Sequence, residues 1–129
     1  MSPNSMNSNV SDYASWFEGI AQEISATKDR FDTARSKLRQ NPGDRFQLVI
    51  IARELVRYQI TADKASSVSV PPSASKVHSS LLKALEEYNT ASKEVSKGKV
   101  ADLLTRLEQG NKLTMEAIGC YRDWKKRLA

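Results

Sequence analysis

Cysteine occurs once in this 129-residue chain, at Cys120, and histidine once, at His78. One cysteine excludes an intrachain disulfide, and no His/Cys cluster exists to hold zinc. A dimetal centre of the helical-bundle kind needs two Glu-x-x-His motifs, so one histidine excludes it too. Glycine-rich phosphate loops, GxSxG elbows and kinase-type signatures are missing. No window of about 18 apolar residues exists, so no transmembrane helix is expected. The opening MSPNSMNSNV has neither a basic start nor an apolar core, so no signal peptide is expected in it. Charge of one sign is also in short supply. The net charge is +5, and signs mostly alternate along the chain as on a solvated helix surface. A nucleic-acid binder shows a denser basic stripe.

What the chain has is helical periodicity. Tyr13, Phe17, Ile20, Ile24, Thr27, Phe31, Ala34 and Leu38 alternate at spacings of three and four. At 3.6 residues per turn this puts all eight on one stripe of a helix. Ala74, Val77, Leu81, Ala84, Tyr88, Ala91 and Val95 repeat the pattern, as do Val100, Leu103, Leu107, Gly110, Thr114, Ala117, Tyr121, Trp124 and Leu128. The fourth stripe is Leu48, Ile51, Leu55 and Ala62, with Ala52, Tyr58 and Gln59 beside it, but Val49, Ile50, Val56 and Ile60 overflow it. That overflow marks Val49, Val56 and Ile60 as a candidate partner surface, for another protein or a second copy.

Turn signals place the boundaries. Residues 1–10 are small, polar and Asn/Ser-rich, and read as a flexible polar tail. Ser11 or Asp12 is expected to cap the first helix, which runs to about Gln40. Asn41-Pro42-Gly43-Asp44 is a strong turn, with Gly43 tolerating positive φ and Asp44 able to cap a second helix over about Arg45–Ala65. Ser66–Ser75 breaks the pattern. Its Pro71-Pro72 pair favours extended geometry, and Ser73 or Ser75 can cap a third helix. Gly98 ends that helix, and a fourth starts near Lys99. The small residues Gly110 and Thr114 leave room for a bulky partner such as Tyr88 or Phe31.

The reading is all-α. Two antiparallel helical hairpins, 11–65 and 74–128, joined by the Ser/Pro-rich connection 66–73, make one up-down-up-down four-helix bundle over 11–128.

No catalytic, metal or cofactor-binding residue is expected. His78 follows Val77 near a helix start and reads as a surface or loop-packing residue. Asp29, Asp32, Glu86 and Glu87 each lie within a turn of Lys or Arg, as solvated ion pairs do. No stripe position carries a carboxylate. Cys120 reads as a small residue near the core. It fits a reducing compartment or a secreted protein that avoids cysteine. Residues 99–129 carry seven basic and four acidic side chains, and the aromatic-basic run Cys120–Leu128 contains Arg122, Lys125, Lys126 and Arg127. These four are the candidate contacts for an anionic lipid or nucleic-acid surface. Tyr121, Trp124 and Leu128 continue the core stripe, so core packing takes precedence there.

Val70-Pro71-Pro72, then Val77-His78-Ser79-Ser80-Leu81-Leu82-Lys83-Ala84-Leu85-Glu86-Glu87-Tyr88, then Leu103-Leu104-Thr105-Arg106-Leu107-Glu108-Gln109-Gly110-Asn111-Lys112-Leu113, loosely resembles small helical domains of uncharacterised bacterial lipoproteins and secreted proteins. The resemblance covers about residues 11–120. It implies a bacterial chain at a cell envelope and no activity. The chain departs from that group in having no leader or lipobox cysteine near its start; if a leader has been removed or lies upstream, a cell-envelope or secreted location is expected, and otherwise a cytoplasmic one. The functional expectation is a non-enzymatic helical interaction or scaffold domain, with anionic-surface binding through the basic C-terminal helix as the alternative.

Overall fold

Four α-helices account for nearly all of the computed structural model, which describes residues 3–128: α1 (Pro3–Gln40), α2 (Arg45–Ser67), α3 (Ser75–Lys97) and α4 (Val100–Leu128). Each helix packs on the next in the chain, and α4 returns to α1, with no close backbone approach across either diagonal among the described residues. This is the up-down-up-down bundle that short links between long helices demand. The α3–α4 interface is the most extensive, and the α1–α4 seam is the thinnest.

The stripes of α1, α3 and α4 bury as their spacing dictates. All eight α1 positions from Tyr13 to Leu38 are buried, and so are Val77, Leu81, Ala84, Tyr88 and Ala91 of α3. On α4 the buried row runs from Leu103 to Trp124, while Leu128 is exposed in the last turn. Full burial of a side chain such as Phe31 or Leu38 contributes about 1.5–3 kcal/mol each.

Gly110 is buried against the ring of Tyr88, the bulky partner that the small α4 residues leave room for. The Tyr88 hydroxyl donates to Asn111 Oδ1 at 2.6 Å and lies 3.3 Å from Thr114 Oγ1. Its ring stacks on Tyr58, with centroids 3.8 Å apart and planes 5° from parallel.

Caps and turns follow local chemistry, with three departures. Asp44 caps α2 as expected, accepting from the backbone N–H of Phe46 and Gln47. Gly98 takes φ 70°, and Gly98 N–H and Lys99 N–H donate to the carbonyls of Val95 and Glu94. This left-handed closure favours glycine and leaves only two residues between α3 and α4.

The first departure is at the start. α1 begins at Pro3, so 3–10 are helical rather than a tail, and Ser11 and Asp12 lie inside the helix. Proline suits a first helical position, where its missing N–H has no partner to lose. Adding turns to an existing helix needs no new nucleus. Val10 also packs at the edge of the core. Residues 1 and 2 of the expected tail lie outside the described residues. Second, Gly43 does not use positive φ; its N–H instead points to Asn41 Oδ1 at 3.3 Å. Third, neither Ser73 nor Ser75 caps α3. Pro71 is extended (φ −65°, ψ 146°), Pro72–Ala74 form one 3-10 turn, and α3 starts with no side-chain cap. Ser73 Oγ accepts from Trp124 Nε1–H at 3.0 Å instead, tying the connection to the end of α4.

Candidate functional site

The buried face of α2 is Gln47, Ile51, Glu54, Leu55, Tyr58, Thr61 and Ala65. The expected row shared only Ile51 and Leu55 with it, while Leu48 and Ala62 sit at its margin. Polar side chains occupy core-facing positions here, and this is where a reading by hydropathy slips.

Glu54 overturns the expectation that no carboxylate turns inward. Its side chain is only 11% exposed and is held by Arg30 Nε from α1 and by Arg57 Nε at 3.3 Å. Arg30 also donates to Thr27 Oγ1 at 3.0 Å. Both arginines reach solvent, so the group is a clasp between α1 and α2 whose cations remain hydrated.

His78 is likewise no surface residue. It is buried, with Nε2 2.9 Å from the Ala65 carbonyl and Nδ1 3.0 Å from the Tyr13 hydroxyl. A carbonyl only accepts, so Nε2 carries the proton and Nδ1 accepts from the tyrosine O–H. Burial pushes the imidazole pKa down from its usual 6.5, partly opposed by the Ala65 hydrogen bond. Burial also raises the Tyr13 phenol well above its ordinary range. Both imidazole nitrogens are thus spent on joining α1, α2 and α3, and neither is left to take a substrate proton. Among the described residues no cluster of three His, Cys, Asp or Glu side chains is arranged to hold a metal. No helix among the described residues is long and apolar enough to cross a membrane. Cys120 is half-buried, with Sγ 3.9 Å from Ser80 Oγ.

Two surface features gather the remaining candidates. The first is the outer face of α2. Val49, Val56 and Ile60 are 50%, 57% and 53% exposed, and Phe46 is 70% exposed. Phe46, Val49, Arg53, Val56 and Ile60 alternate by three and four, so they form one continuous row along the helix. The sequence reading missed Phe46, although the same spacing carried one step toward the cap would have found it. Cations flank the row. Arg57 is paired with Glu54, and Lys64 with Glu23 at 3.5 Å. Among the described residues Arg45 and Arg53 have no carboxylate within 4 Å.

The second is a groove of about 920 Å³ along the α1–α4 seam. Phe17 and Ala21 of α1 and Ile118 and Tyr121 of α4 give it an apolar floor. Phe17 and Tyr121 stack with centroids 4.4 Å apart, and the Tyr121 hydroxyl donates to the Ala14 carbonyl at 3.4 Å. Arg122, Lys125 and Lys126 stand on the α4 wall, opposite Glu18 and Gln22. Lys125 is engaged twice, donating to Glu18 at 3.1 Å and lying 5.8 Å from the Tyr121 ring centroid. The Glu18 hydrogen bond is the main reason its pKa rises. Arg127, the fourth basic candidate, is exposed in the last turn and does not line the groove. Periodicity could not show this groove, because it depends on how far apart α1 and α4 stand. At the far end of the seam Arg39 pairs with Glu108.

Comparison of the chain with protein-family models, with curated proteins and with solved structures finds no match.

Proposed function

We propose that this chain is a non-enzymatic helical interaction domain, and that the outer face of α2 is the surface it offers to a protein partner. The observation that carries this reading is the exposed row Phe46, Val49, Val56 and Ile60. Four large apolar side chains exposed along one helix face are unusual with nothing to cover them. The partner surface that fits is an apolar ridge that carries carboxylates, since Arg53 lies within the row and Arg45 and Arg57 flank it. A second copy fits less well: antiparallel pairing of two α2 helices about Arg53 would set Arg53 against its own mate, and like charges in contact are unfavourable. The engaged imidazole of His78 and the paired Glu54 support the non-enzymatic part. The resemblance to bacterial envelope proteins makes that compartment the first place to seek the partner.

A photo-crosslinking residue at position 56, in the cells that make the protein, should give one discrete adduct that a residue at exposed Lys112 does not. The purified partner should bind the wild-type chain and lose at least tenfold in affinity to Val56→Asp. A row that crosslinks no more than Lys112 does would overturn the reading. Light scattering that shows a dimer broken by Val56→Asp would put a second copy in the partner's place.

A second reading is anionic contact through Arg122, Lys125, Lys126 and Arg127. Its support is that Arg122 and Lys126 have no carboxylate within 4 Å among the described residues. Binding to anionic vesicles at low salt, lost in Arg122→Glu/Lys126→Glu, is its test. No binding at about 50 mM salt would count against it.

A further inference from the structure

We infer that the α1–α4 groove is a binding site for a compact amphiphilic anion, one with a ring-built apolar body and a single anionic group. The inference rests on the second reading above and narrows it from a charged surface to a shaped site.

The groove exists because the seam is tied at both ends and thin between them. Phe17 stacks on Tyr121 and Lys125 pairs with Glu18 near one end, and Arg39 pairs with Glu108 at the other. Within the groove, beyond Phe17 and Glu18, α1 contributes the small or flexible side chains of Ala21, Gln22 and Ser25, and Ile118 of α4 is just half-buried. No bulky side chain from either helix closes the gap. The result is an apolar trough of about 920 Å³, near the upper end of the range of about 300–1,000 Å³ for small-molecule sites.

Its shape selects the body of the ligand. The α1 wall runs from Phe17 to Ser25, which at 1.5 Å per residue spans about 12 Å. That is short for an extended long acyl chain, while the volume is too large for one thin chain of that length. A ring system fills such a space and can lie against the aromatic floor.

Charge selects the head. Lys125 is held by Glu18, and Arg122 and Lys126 are the cations on the wall with no carboxylate within 4 Å among the described residues. Cations beside an apolar floor favour a molecule whose anionic group is adjacent to its body. The guanidinium of Arg122 can take a carboxylate, phosphate or sulfonate through paired N–H donors. A neutral molecule with the same body would leave those cations without a new partner.

The test uses two fluorescent probes that share an anilinonaphthalene body, 8-anilinonaphthalene-1-sulfonate and its neutral parent N-phenyl-1-naphthylamine. The native chain should bind the sulfonate at one site, at least tenfold tighter than the neutral parent at low salt. Arg122→Glu/Lys126→Glu should bring the sulfonate down to the neutral probe's affinity and leave the neutral probe unchanged. Ala21→Trp, whose indole would occupy the trough, should weaken both probes at least tenfold. Exposed Ser25→Trp serves the same purpose should Ala21→Trp destabilise the fold, with circular dichroism reporting folding. Equal affinities for the two probes, several equivalent sites, or binding indifferent to both tryptophan variants would overturn the inference. Anionic vesicles separate it from the reading it rests on. Vesicle binding that survives Ala21→Trp, with no single-site probe binding, keeps the charged surface and refutes the groove. Absence of both overturns both.

Discussion

Gly110→Ala should destabilise this protein, although the same change elsewhere in its helices should stabilise it. Replacing glycine by alanine inside a helix ordinarily gains about 0.5–1 kcal/mol, because the unfolded chain loses freedom. At Gly110 a Cβ would lie 2.6 Å from Tyr88 Cε1 and 2.9 Å from Cδ1 and Cζ, against the 3.4 Å at which ordinary contact begins. The ring has little room to retreat. Tyr58 stacks on its other face at 3.8 Å, and its hydroxyl is hydrogen-bonded to Asn111 at 2.6 Å. Moving it disturbs the stack, the hydrogen bond or the α3–α4 spacing, and overpacking of this kind costs about 1–3 kcal/mol. Set against the glycine gain, this leaves a net loss of up to about 2.5 kcal/mol, toward the upper end because the 2.6 Å approach is severe. Gly19→Ala and Gly119→Ala are the controls, because a Cβ at either meets nothing within 4 Å. Urea unfolding followed by circular dichroism measures all three, and the Tm should move by about 3–6 °C per kcal/mol. Tyr88→Leu in the Gly110→Ala background should recover part of the loss, giving a coupling energy beyond the sum of the singles. If Gly110→Ala stabilises as much as Gly19→Ala, the close packing of α3 on α4 at Tyr88 is wrong.

The buried imidazole gives a pH dependence with a definite sign. His78 has a lowered pKa in the folded chain, so the unfolded state takes up the proton first; stability is full above about pH 6.5 and falls as pH drops below it. Tm measured from pH 8 to pH 5.5 should show this slope, and because His78 is the only histidine, His78→Gln should flatten it. A slope unchanged in that variant would locate the titration elsewhere. Glu54→Leu should lie within about 1 kcal/mol of wild type, since the two arginines left behind can reach water and an apolar side chain suits the site; a loss above about 3 kcal/mol would mean the clasp carries the α1–α2 interface. Ser73→Ala should cost about 0.5–1.5 kcal/mol through the lost Trp124 hydrogen bond, and a red or blue shift in Trp fluorescence should accompany it. Val56→Asp should leave urea stability unchanged within about 0.5 kcal/mol, as a substitution at an exposed position does; strong destabilisation in the isolated chain would mean the α2 row is covered within the monomer.

The parts of the fold legible in the sequence are those where one physical effect decides. The α1 row from Tyr13 to Leu38 is large and apolar, so burial fixes its phase without competition. Asp44 and Gly98 act through local backbone chemistry, a carboxylate accepting free N–H groups and a residue that tolerates positive φ. On α2 two effects compete. Glu54 faces inward because α1 supplies Arg30, a partner 24 residues away in the chain, while Thr61 turns in with its hydroxyl satisfied by the Arg57 carbonyl. No pattern within α2 announces it, so hydropathy alone shifted the face. His78 misled for the same reason: its partners are Tyr13 and the Ala65 carbonyl, on two other helices. The N-terminal extension of α1 misled differently. Asn and Ser are poor helix formers, but prolonging a helix costs far less than starting one.

The same competition bears on where function lies. Inward-facing polar side chains on α2 require that some of its apolar ones face outward, since both share one helix. Gln47, Glu54 and Thr61 turn in; Phe46, Val49, Val56 and Ile60 turn out. A sequence under selection only for monomer stability would exchange these sets, because the exchange would remove the exposed apolar row and replace a clasp that costs desolvation by plain packing. A constraint on the outer face is what the proposed partner surface would impose. The α1–α4 groove stands apart from this reasoning, since it comes from the small side chains Ala21 and Ser25 and from cations on one wall only. The outer face of α2 and the α1–α4 seam share no lining residue, so the proposed protein partner and the proposed small anion would not compete for the same side chains. Saturating the groove with the sulfonate probe should leave crosslinking at position 56 unchanged.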